Sequence, residues 1–499
     1  MRLPLKWAPH IILVICLSAI YLGTMAPGLT WANGGSDGGD LITAAATGGV
    51  AHPTGYPVYL LVAQAFQLLP VGSLAYRTNL LSAVAMVGAA VLVYEVVARS
   101  PAIGKGHSAW LAGLISAFTF GLAPLVWSQA VITEVYALQA FIIALILYLC
   151  MSTSSERRDR LCGLSLGLAT GIHLTTTMLV PAVFLANAMS ERSLESLTKP
   201  RISSWLQKWQ IDGKSLLRQS AFLLTGSLVY LVLPLRASTQ PPVNWGDPVT
   251  PQRFWWLVSG ALYQNNLTGL TFSMLLNRIW AWAALFLGQF GLIGLILGLT
   301  GLVLFFVSSR LYLLTLWTAI TFSVFAIFYA SPDSDVYLIP AILSFAIWIG
   351  LGIGGLMNAV ARYSVPVGSV IGMMFLVYLA VLSLSHWPQV DASHDQSAEN
   401  FGREVMSKAP AHAILFTEGD APVFALWYFQ FALHQRLDVS VVADELLPFD
   451  WYRNTLRHVY PDLVLPESTS DVWQSSITKA NPNLPVCYSY FQDFVLNCR

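Results

Sequence analysis

Long apolar stretches dominate the first three quarters of the chain and predict membrane-spanning helices. A helix needs about 20 mostly apolar residues to cross the hydrocarbon core of a bilayer. Such stretches recur eleven times, which predicts an all-α polytopic membrane domain over residues 1–386. They cover residues 8–26, 76–98, 109–127, 131–151, 161–174, 175–189, 217–235, 279–307, 311–330, 337–360 and 365–385.

Some apolar stretches leave alternatives open because of their length. Residues 161–174 and 175–189 are short and form either two spans or one long or broken helix. The stretch 279–307 is long enough to include an interfacial piece. Residues 57–72 are apolar but short, which indicates an interfacial or re-entrant helix.

The last 113 residues have a different pattern and composition. Short apolar runs at 413–416, 423–428 and 439–442 alternate with polar turns, which predicts a small soluble α/β domain over residues 387–499. This part holds 14 of the 26 acidic and only 7 of the 26 basic residues. The whole chain has no net charge, so nothing suggests binding to nucleic acid.

Lysine and arginine are distributed unevenly between alternate loops. Fifteen lie at the N-terminus and in the loops near 99–108, 152–160, 190–218, 308–310 and 361–364. The other loops before residue 387 hold four: Arg77, Arg236, Arg253 and Arg278. The positive-inside rule places the first set in the cytoplasm. The loops 27–75 and 236–278 (the first and second loops) and the domain 387–499 are then extracytoplasmic, on a plasma membrane or a bacterial inner membrane.

The cysteines show no spacing typical of a metal site. Cys487 and Cys498 lie in the C-terminal domain and either pair, if that domain faces an oxidising compartment, or remain free thiols.

The first loop carries the most informative chemistry. Asp37 and Asp40 lie three residues apart among four glycines, and residues 27–75 contain no lysine or arginine. Burial of acids that lack a cationic neighbour raises their pKa values, which is typical of a general base. The alternative is a turn in which one acid caps a helix that starts near Leu41.

Further polar residues lie at predicted outer helix ends. His52 precedes a turn that contains Tyr56, and either binds a phosphate or sugar hydroxyl group or caps a helix. Glu134 is either functional, since ionisable residues near membrane depth are costly, or an interfacial charge favoured by a helix dipole. His173 lies where two short apolar segments meet, and is either a site residue or a satisfied polar kink.

The second loop begins with Arg236, a candidate phosphate partner whose alternative is a snorkelling side chain. It continues through Asn244, Trp245 and Asp247, which we predict to bind substrate, to a belt of aromatic residues. This belt either borders a lipid-linked substrate or anchors the chain at the membrane surface. The acidic turn at 331–337 is typical of a helix N-cap.

These strings together resemble a known family. Residues 34–41 and 51–57 resemble the signature of membrane proteins related to the transmembrane protein 260 type of protein O-mannosyltransferase. The strings at 134–138 and 242–248, and those at 416–420, 426–430 and 436–439 in the C-terminal domain, resemble further parts of these relatives. The second acid departs from the family pattern, because Asp40 occupies the position of a glutamate.

The resemblance implies a GT-C glycosyltransferase with its active site in the first outer loop. Such enzymes use a polyprenyl-phosphate sugar as donor, generally invert the anomeric centre and take their base from that loop, which implies Asp37 or Asp40. No acidic cluster demands a metal, and no cofactor is expected. The implied partners are the lipid-linked donor, membrane lipids and an acceptor that is a protein, lipid or glycan.

A transporter or flippase of a lipid-linked substrate is the main alternative function. It predicts inverted repeats and ionisable groups near the membrane centre, whereas the polar residues here cluster at outer helix ends. A structural or sensor module leaves the glycine-rich acidic loop unexplained. The string Thr417-Glu418-Gly419-Asp420 is either an acceptor-recognition site or a plain turn.

Overall fold

A computed structural model describes residues 7–101, 103–104, 106–152, 155–189, 210–267, 270–304, 309–467, 472–490 and 496–499. Residues 305–307 of the predicted span 279–307 lie outside these ranges. Seven of the fifteen basic residues that we place in the cytoplasm also lie outside the described ranges: Arg2, Lys6, Lys105, Arg192, Lys199, Arg201 and Lys208.

Helices make up the membrane domain, as the apolar pattern predicts. The first nine are α1 (Ala8–Thr24), α2 (Gly38–Thr47), α3 (Pro57–Gln67), α4 (Leu74–Ala98), α5 (His107–Gly121), α6 (Pro124–Ala130), α7 (Tyr136–Ser152), α8 (Ser155–Thr170) and α9 (Val180–Ala188). The next seven are α10 (Gly213–Ser227), α11 (Val232–Ala237), α12 (Pro251–Val258), α13 (Phe272–Leu304), α14 (Ser309–Phe328), α15 (Ile339–Ala361) and α16 (Val365–Val390). Short 3₁₀ segments precede α9, α11, α13 and α15.

Within the described residues, six helical segments are long and apolar enough to cross a membrane. They are 74–98, 213–237, 272–304, 310–328, 334–361 and 366–390. The bent pair α5–α6 is a seventh, and the shorter apolar segments are 8–24, 136–151 and 174–188. Together with α8 they occupy all eleven predicted positions. The predicted fold class is confirmed, while the number of shorter helices that cross a bilayer stays a prediction.

Several predicted boundaries are wrong in detail. The stretch 109–127 is a helix pair bent by 69°, because Pro124 starts a new helix and proline does not fit a helix interior. The stretch 131–151 becomes helical only at Tyr136, after an irregular segment that carries Glu134. The predicted break between 161–174 and 175–189 is present at residues 171–173. In α13, Gly291 adopts a positive φ of 61° and interrupts the helix.

The C-terminal domain is the predicted small α/β unit. Its strands are β1 (Ile414–Glu418), β2 (Ser440–Ala443), β3 (Val486–Tyr490) and β4 (Leu496–Cys498), and its helices are α17 (Ser397–Lys408), α18 (Asp420–Trp427), α19 (Asp450–Val459) and α20 (Trp473–Ala480). The strand order is β2-β1-β3-β4, with β1 parallel to both neighbours and β4 antiparallel to β3. A disulfide joins Cys487 to Cys498 across β3 and β4.

The C-terminal domain packs directly on the first loop. The Asp395 carboxylate accepts hydrogen bonds from the main-chain N–H groups of Trp31 (3.1 Å) and Ala32 (3.2 Å) and from the Thr30 hydroxyl group. Deeper in the contact, α18 lies so close to α2 that a Cβ atom on Gly39 would approach the Phe424 carbonyl oxygen to 2.4 Å. Glycine is therefore required at residue 39 for the domain to reach the acidic loop.

Candidate active site

Asp40 lies in the first turn of α2, and its side chain is fully buried. Its Oδ2 atom accepts a hydrogen bond from the His52 main-chain N–H (3.0 Å) and lies 2.7 Å from His52 Nδ1. Its Oδ1 atom accepts a hydrogen bond from the indole N–H of Trp245 at 3.0 Å. A buried carboxylate requires such partners because an unpaired charge in the interior is costly. Asp40 therefore ties α2 to the His52 turn and to the second loop.

Asp37 lies on the other side of the same imidazole ring. Its Oδ2 atom is 3.4 Å from His52 Nε2, and its side chain keeps 31% of its surface exposed, against 6% for His52. Asp37 precedes α2 at the N-cap position, yet its side chain makes no capping hydrogen bond. The helix starts at Gly38, so the alternative of an acid that caps a helix near Leu41 does not describe either aspartate.

Burial and neighbouring charges shift the pKa values of Asp37 and His52. Burial raises the pKa of Asp37, and the neighbouring charge of His52 offsets only part of that rise. Burial alone would lower the pKa of His52, but the charge of Asp37 and the hydrogen bond to Asp40 outweigh it and raise the pKa to about 9. His52 is therefore protonated at neutral pH, and a cation lies between the two aspartates.

Glu134 lies near this group, in the irregular segment before α7. Its side chain is buried, with 4% of the residue exposed. Burial raises its pKa well above the ordinary range, and the charge of Asp37 raises it further. Glu134 is therefore protonated over a wider pH range than an ordinary glutamate.

Aromatic rings line the space next to the acids. Tyr56 contacts His52 with a ring-centroid distance of 5.0 Å, and His173 lies 6.0 Å from Tyr56. Tyr136 and Tyr337 lie 5.6 and 5.5 Å from His173. Burial lowers the pKa of His173 to about 3, so its imidazole is neutral. The predicted residues His52, Tyr56 and His173 thus come together beside Asp37.

His173 also has the local role that the sequence left open. Its Nδ1 atom lies 2.8 Å from the Thr175 hydroxyl group and accepts from the Thr175 main-chain N–H at 3.3 Å, which caps the segment 174–179. The His173 side chain thus both caps the segment 174–179 and contacts the tyrosine rings.

The second loop reaches the site through main-chain pairing with the first. Val50 donates to the Val243 carbonyl oxygen at 2.9 Å, and Trp245 donates to the Val50 carbonyl oxygen at 3.2 Å. A Cβ atom on Gly49 would lie 2.4 Å from the Val243 oxygen, so glycine permits this approach. The pairing holds the Trp245 indole where it meets Asp40.

Asp247 belongs to a group of contacts that links the second loop to the C-terminal domain. Arg253 contacts Asp247 at 2.5 Å and Asp450 at 2.7 Å. The Asn244 side-chain amide group donates to Asp247 at 3.2 Å. Asn244 and Asp247, both predicted substrate-binding residues, therefore lie at this junction, while Trp245 between them turns inward.

The C-terminal domain adds groups to the site. The Phe424 ring of α18 stacks on His52 with a centroid distance of 6.1 Å and an interplanar angle of 13°. Asp420, the first residue of α18, interacts electrostatically with Asp37 and His52. Burial raises the pKa of Asp420 to about 6, and the charge of Asp37 adds to the rise. The acidic space is thus bounded by both domains.

Three of the four arginines on the predicted outer side of the membrane domain are held by uncharged protein acceptors. Arg236 donates to the Gly49 carbonyl oxygen (3.1 Å) and to Gln64 Oε1 (2.5 Å). Arg77 directs all three guanidinium nitrogens to main-chain oxygens at 2.6 to 3.0 Å. Arg278 donates to three carbonyl oxygens near the end of α14. None of these contacts shows a phosphate role for Arg236, which stays a prediction.

No group of three or more histidine, cysteine, aspartate and glutamate side chains in the described part of the chain is placed to hold a metal ion. The expectation of metal-independent chemistry stays a prediction.

Sequence reasoning missed three neighbours of the predicted site residues. Tyr136 and Tyr337 complete the aromatic wall, but aromatic residues at helix ends are common in membrane proteins and gave no specific signal. Asp420 had a signal, since it follows a predicted strand in the string 417–420. The sequence did not indicate that this string would meet the first loop.

Two family models match the chain. Residues 37–196 match the N-terminal domain of the protein O-mannosyl-transferase TMEM260, and residues 398–471 match the TMEM260-associated domain 2. The protein O-mannosyl-transferase TMEM260 of Mus musculus is 25% identical over 87% of this chain and 62% of its own length. The protein of the same name from Dictyostelium discoideum is 23% identical over 91% of this chain and 59% of its own length. The predicted resemblance is confirmed, and the chain spans about 60% of the length of these relatives.

Solved structures show the fold. ArnT from Cupriavidus metallidurans bound to undecaprenyl phosphate is similar with a TM-score of 0.60 and 14% identity, over 96% of this chain and 92% of that one. The apo structure of ArnT gives a TM-score of 0.54 and 13% identity, over 97% and 93%. The similarity covers both the membrane domain and the C-terminal domain, and it supports the predicted GT-C fold.

Proposed function

We propose that the chain is a glycosyltransferase that moves a mannosyl-type sugar from a polyprenyl phosphate to an acceptor hydroxyl group, with inversion at the anomeric carbon. The names of the curated relatives support the sugar and a protein as acceptor. The undecaprenyl phosphate bound to ArnT, a protein of the same fold, supports a lipid-linked donor.

The observation that carries the proposal is the contrast between the two aspartates around His52. Asp40 is fully buried and its oxygens accept hydrogen bonds from His52 and Trp245. Asp37 is part-exposed and its pKa is raised. A general base must be reachable, and a raised pKa increases its affinity for the proton that it accepts. Asp37 meets both conditions.

The reaction needs one proton acceptor and one leaving group. The acceptor O–H bond breaks, its proton goes to the Asp37 carboxylate, and its oxygen forms the new bond to the anomeric carbon. The bond from that carbon to the phosphate oxygen breaks, and its electron pair leaves with the polyprenyl phosphate. Phosphate is already a good leaving group, so the chain supplies one base and no general acid.

His52 serves this step as a positioning residue. Its two ring nitrogens face Asp40 and Asp37, so they are not free for a donor phosphate. The protonated ring keeps a positive charge 3.4 Å from Asp37 and limits the rise of its pKa. Arg236 is the proposed phosphate partner: its two terminal nitrogens donate to Gly49 and Gln64, while its Nε–H group makes no hydrogen bond to a described residue.

The site is proposed to face the extracytoplasmic side. The predicted outer side of the membrane domain carries four basic residues and the opposite side fifteen, which favours this orientation. The disulfide between Cys487 and Cys498 also supports it, since disulfides persist in oxidising compartments.

A donor panel tests the function. The purified chain in lipid nanodiscs is incubated with polyprenyl phosphates that carry labelled mannose, glucose or galactose, together with serine- and threonine-rich acceptor peptides. We expect transfer of label from the mannosyl donor by the wild type, and its loss in Asp37→Asn. Asp462→Asn, at an exposed position of the C-terminal domain, is the matched control.

Two results would contradict the proposal. One is transfer at the wild-type rate by Asp37→Asn. The other is the absence of transfer from every donor by a folded wild type; movement of the lipid-linked sugar between leaflets in that sample would support the flippase alternative instead.

A further inference from the structure

A phenylalanine of the C-terminal domain packs on one face of the imidazole that lies between the two aspartates. Phe424 is buried in α18, and its ring lies 6.1 Å from the His52 ring at an interplanar angle of 13°. Tyr56 and Trp245 approach the same imidazole edge-on, at 67° and 76°. Of these three rings only that of Phe424 is parallel to His52, which is a favoured geometry for aromatic pairs.

The orientation of the imidazole is not set by its hydrogen bonds alone. Asp40 lies 2.7 Å from Nδ1, and Asp37 lies 3.4 Å from Nε2. A hydrogen bond tolerates deviations of tens of degrees from linearity, so the bond at Nδ1 leaves the ring some freedom to tilt. A parallel ring on one face removes that freedom on its own side. Since any tilt changes the Nε2 contact, the packing of Phe424 bears directly on Asp37.

The charge of His52 favours the same contact. The imidazole is protonated at neutral pH, and a cation over the face of an aromatic ring is attracted by the quadrupole of that ring. The separation of 6.1 Å is about the outer limit of such contacts. The Phe424 ring therefore stabilises both the orientation and the charged form of His52.

Phe424 is itself held in place by its main chain and its ring. A Cβ atom on Gly39 would lie 2.4 Å from the Phe424 carbonyl oxygen, so α18 can reach this position only beside a glycine. The Phe424 ring also contacts Trp245 at 6.2 Å and Trp427 at 5.6 Å. The first loop, the second loop and the C-terminal domain thus fix the ring together.

We propose that Phe424 is a positioning residue, whose ring holds the plane of the His52 imidazole and thereby the contact of Nε2 with Asp37. The C-terminal domain then acts on the base through His52 and does not touch the reacting atoms. The effect of Phe424 on transfer rests on the proposed function, whereas its effect on His52 does not.

Titration of His52 by NMR tests the positioning without an assay of transfer. The full chain in detergent micelles carries histidine labelled with ¹³C at Cε1, and His52→Gln identifies the His52 signal among the nine histidines. The wild-type signal should titrate at about pH 9. In Phe424→Leu the midpoint should fall by about 0.5–1 pH unit, because the tilted imidazolium loses the ring face and part of its contact with Asp37.

A role of Phe424 as a mere cover predicts the opposite shift. Burial by itself lowers the pKa of His52, so a leucine that only admitted water would raise the midpoint. The substitution changes none of the titratable groups that interact with His52, which are Asp37, Asp40, Asp420, Glu134 and His173.

The matched control is Phe429→Leu, the same change at another phenylalanine of the C-terminal domain, which is 3% exposed and should titrate like the wild type. Thermal unfolding checks that each variant is folded. If Phe424→Leu is not, Gly39→Ala decides, because its methyl group must separate the two backbones. Gly38→Ala is the control for that variant, since a Cβ atom there would lie 3.5 Å from Thr133, an ordinary contact.

An unchanged or raised midpoint in Phe424→Leu, or the same fall in Phe429→Leu, would overturn the proposal. In the transfer assay, the decline of the Phe424→Leu rate at high pH should move to lower pH by the same amount as the midpoint. A fall in the midpoint with no transfer by the wild type would support the positioning and contradict the proposed function, so the two failures are distinguishable.

Discussion

The two aspartates of the first loop lie within one helical turn of each other and have opposite surroundings. Asp40 has no exposed surface and receives N–H groups from His52 and Trp245. Asp37 is 31% exposed, and among the described residues its carboxylate contacts the far nitrogen of the same imidazole and accepts a hydrogen bond from Ser36. Two identical side chains thus have different environments, because tertiary contacts satisfy one carboxylate and leave the other part-exposed.

This contrast separates stability from reactivity within one loop. A carboxylate that accepts several buried hydrogen bonds stabilises the fold, and its removal leaves those donors unpaired. A carboxylate whose charge is disfavoured by burial contributes little to stability but has a raised affinity for a proton. Substitution of Asp37 should therefore lower chiefly the transfer rate, and substitution of Asp40 chiefly the stability.

The largest effect is expected for Asp37→Asn. Loss of the general base should lower the transfer rate about 10³-fold, within the usual range for proton-transfer catalysis. Stability should stay the same or increase slightly, because the substitution removes a charge that burial disfavours. Transfer rates and thermal unfolding of the same nanodisc preparation measure both. A large loss of stability would show that Asp37, like Asp40, stabilises the fold, and would contradict the contrast between the two aspartates.

The next effect is expected for Asp40→Asn, chiefly on stability. An asparagine presents one carbonyl oxygen and an N–H₂ group, so at least one of the buried donors from His52 or Trp245 loses its acceptor. The free energy of unfolding should fall by about 3 kcal/mol. Chemical or thermal unfolding followed by circular dichroism measures the change. If Asp40→Asn kept the wild-type stability but lost about 10³-fold in transfer rate, Asp40 and not Asp37 would be the base.

A smaller effect is expected for Trp245→Phe. This change removes one N–H donor to Asp40 and keeps most of the ring contacts to Phe424 and Trp451. The loss of a hydrogen bond to a buried charge should cost about 2 kcal/mol of stability. Differential scanning fluorimetry compares it with Trp255→Phe, whose exposed ring should matter little. Equal unfolding temperatures for the two variants would argue against a structural role for the hydrogen bond from Trp245 to Asp40.

The smallest effect is expected for Arg253→Met, at the rim of the junction. Arg253 pairs with Asp247 and Asp450, but 65% of the Asp450 side chain is exposed and solvent screens that pair. The stability should fall by less than about 1 kcal/mol, and more at low salt than at high salt. Unfolding measured at two salt concentrations checks this. Lys408→Met, at the exposed pair with Glu404 in α17, is the control and should show a smaller change.

The sequence predicted the fold well where the physics is local. Apolar length alone located the helical segments, and alternating runs located the C-terminal α/β domain. It failed at the bend before Pro124 and at the irregular segment around Glu134, because both stretches are apolar enough to resemble one continuous span. Hydropathy measures transfer into the membrane and carries little information on backbone geometry.

The sequence located residues of the candidate site, but it did not show which aspartate is buried and which is part-exposed. Asp37, Asp40 and His52 were visible as an acidic loop without cations, and the structure brings them together. The donor from Trp245 lies 205 positions away from Asp40, and the contact of Phe424 with His52 joins two domains. Such contacts depend on how the domains pack, so no local pattern distinguished the buried aspartate from the reachable one.

The most direct test is the pH dependence of the single-turnover transfer rate in the wild type and in Asp37→Asn. In the proposed mechanism the carboxylate form of Asp37 is the active one, so the wild-type rate should fall tenfold per pH unit below the raised pKa of Asp37. It should also decline as pH rises through about 9, where His52 loses its proton. The residual rate of Asp37→Asn should lack the acid limb. An unchanged acid limb in that variant would assign the proton to another group, such as Asp420 with its pKa of about 6, and would contradict the account.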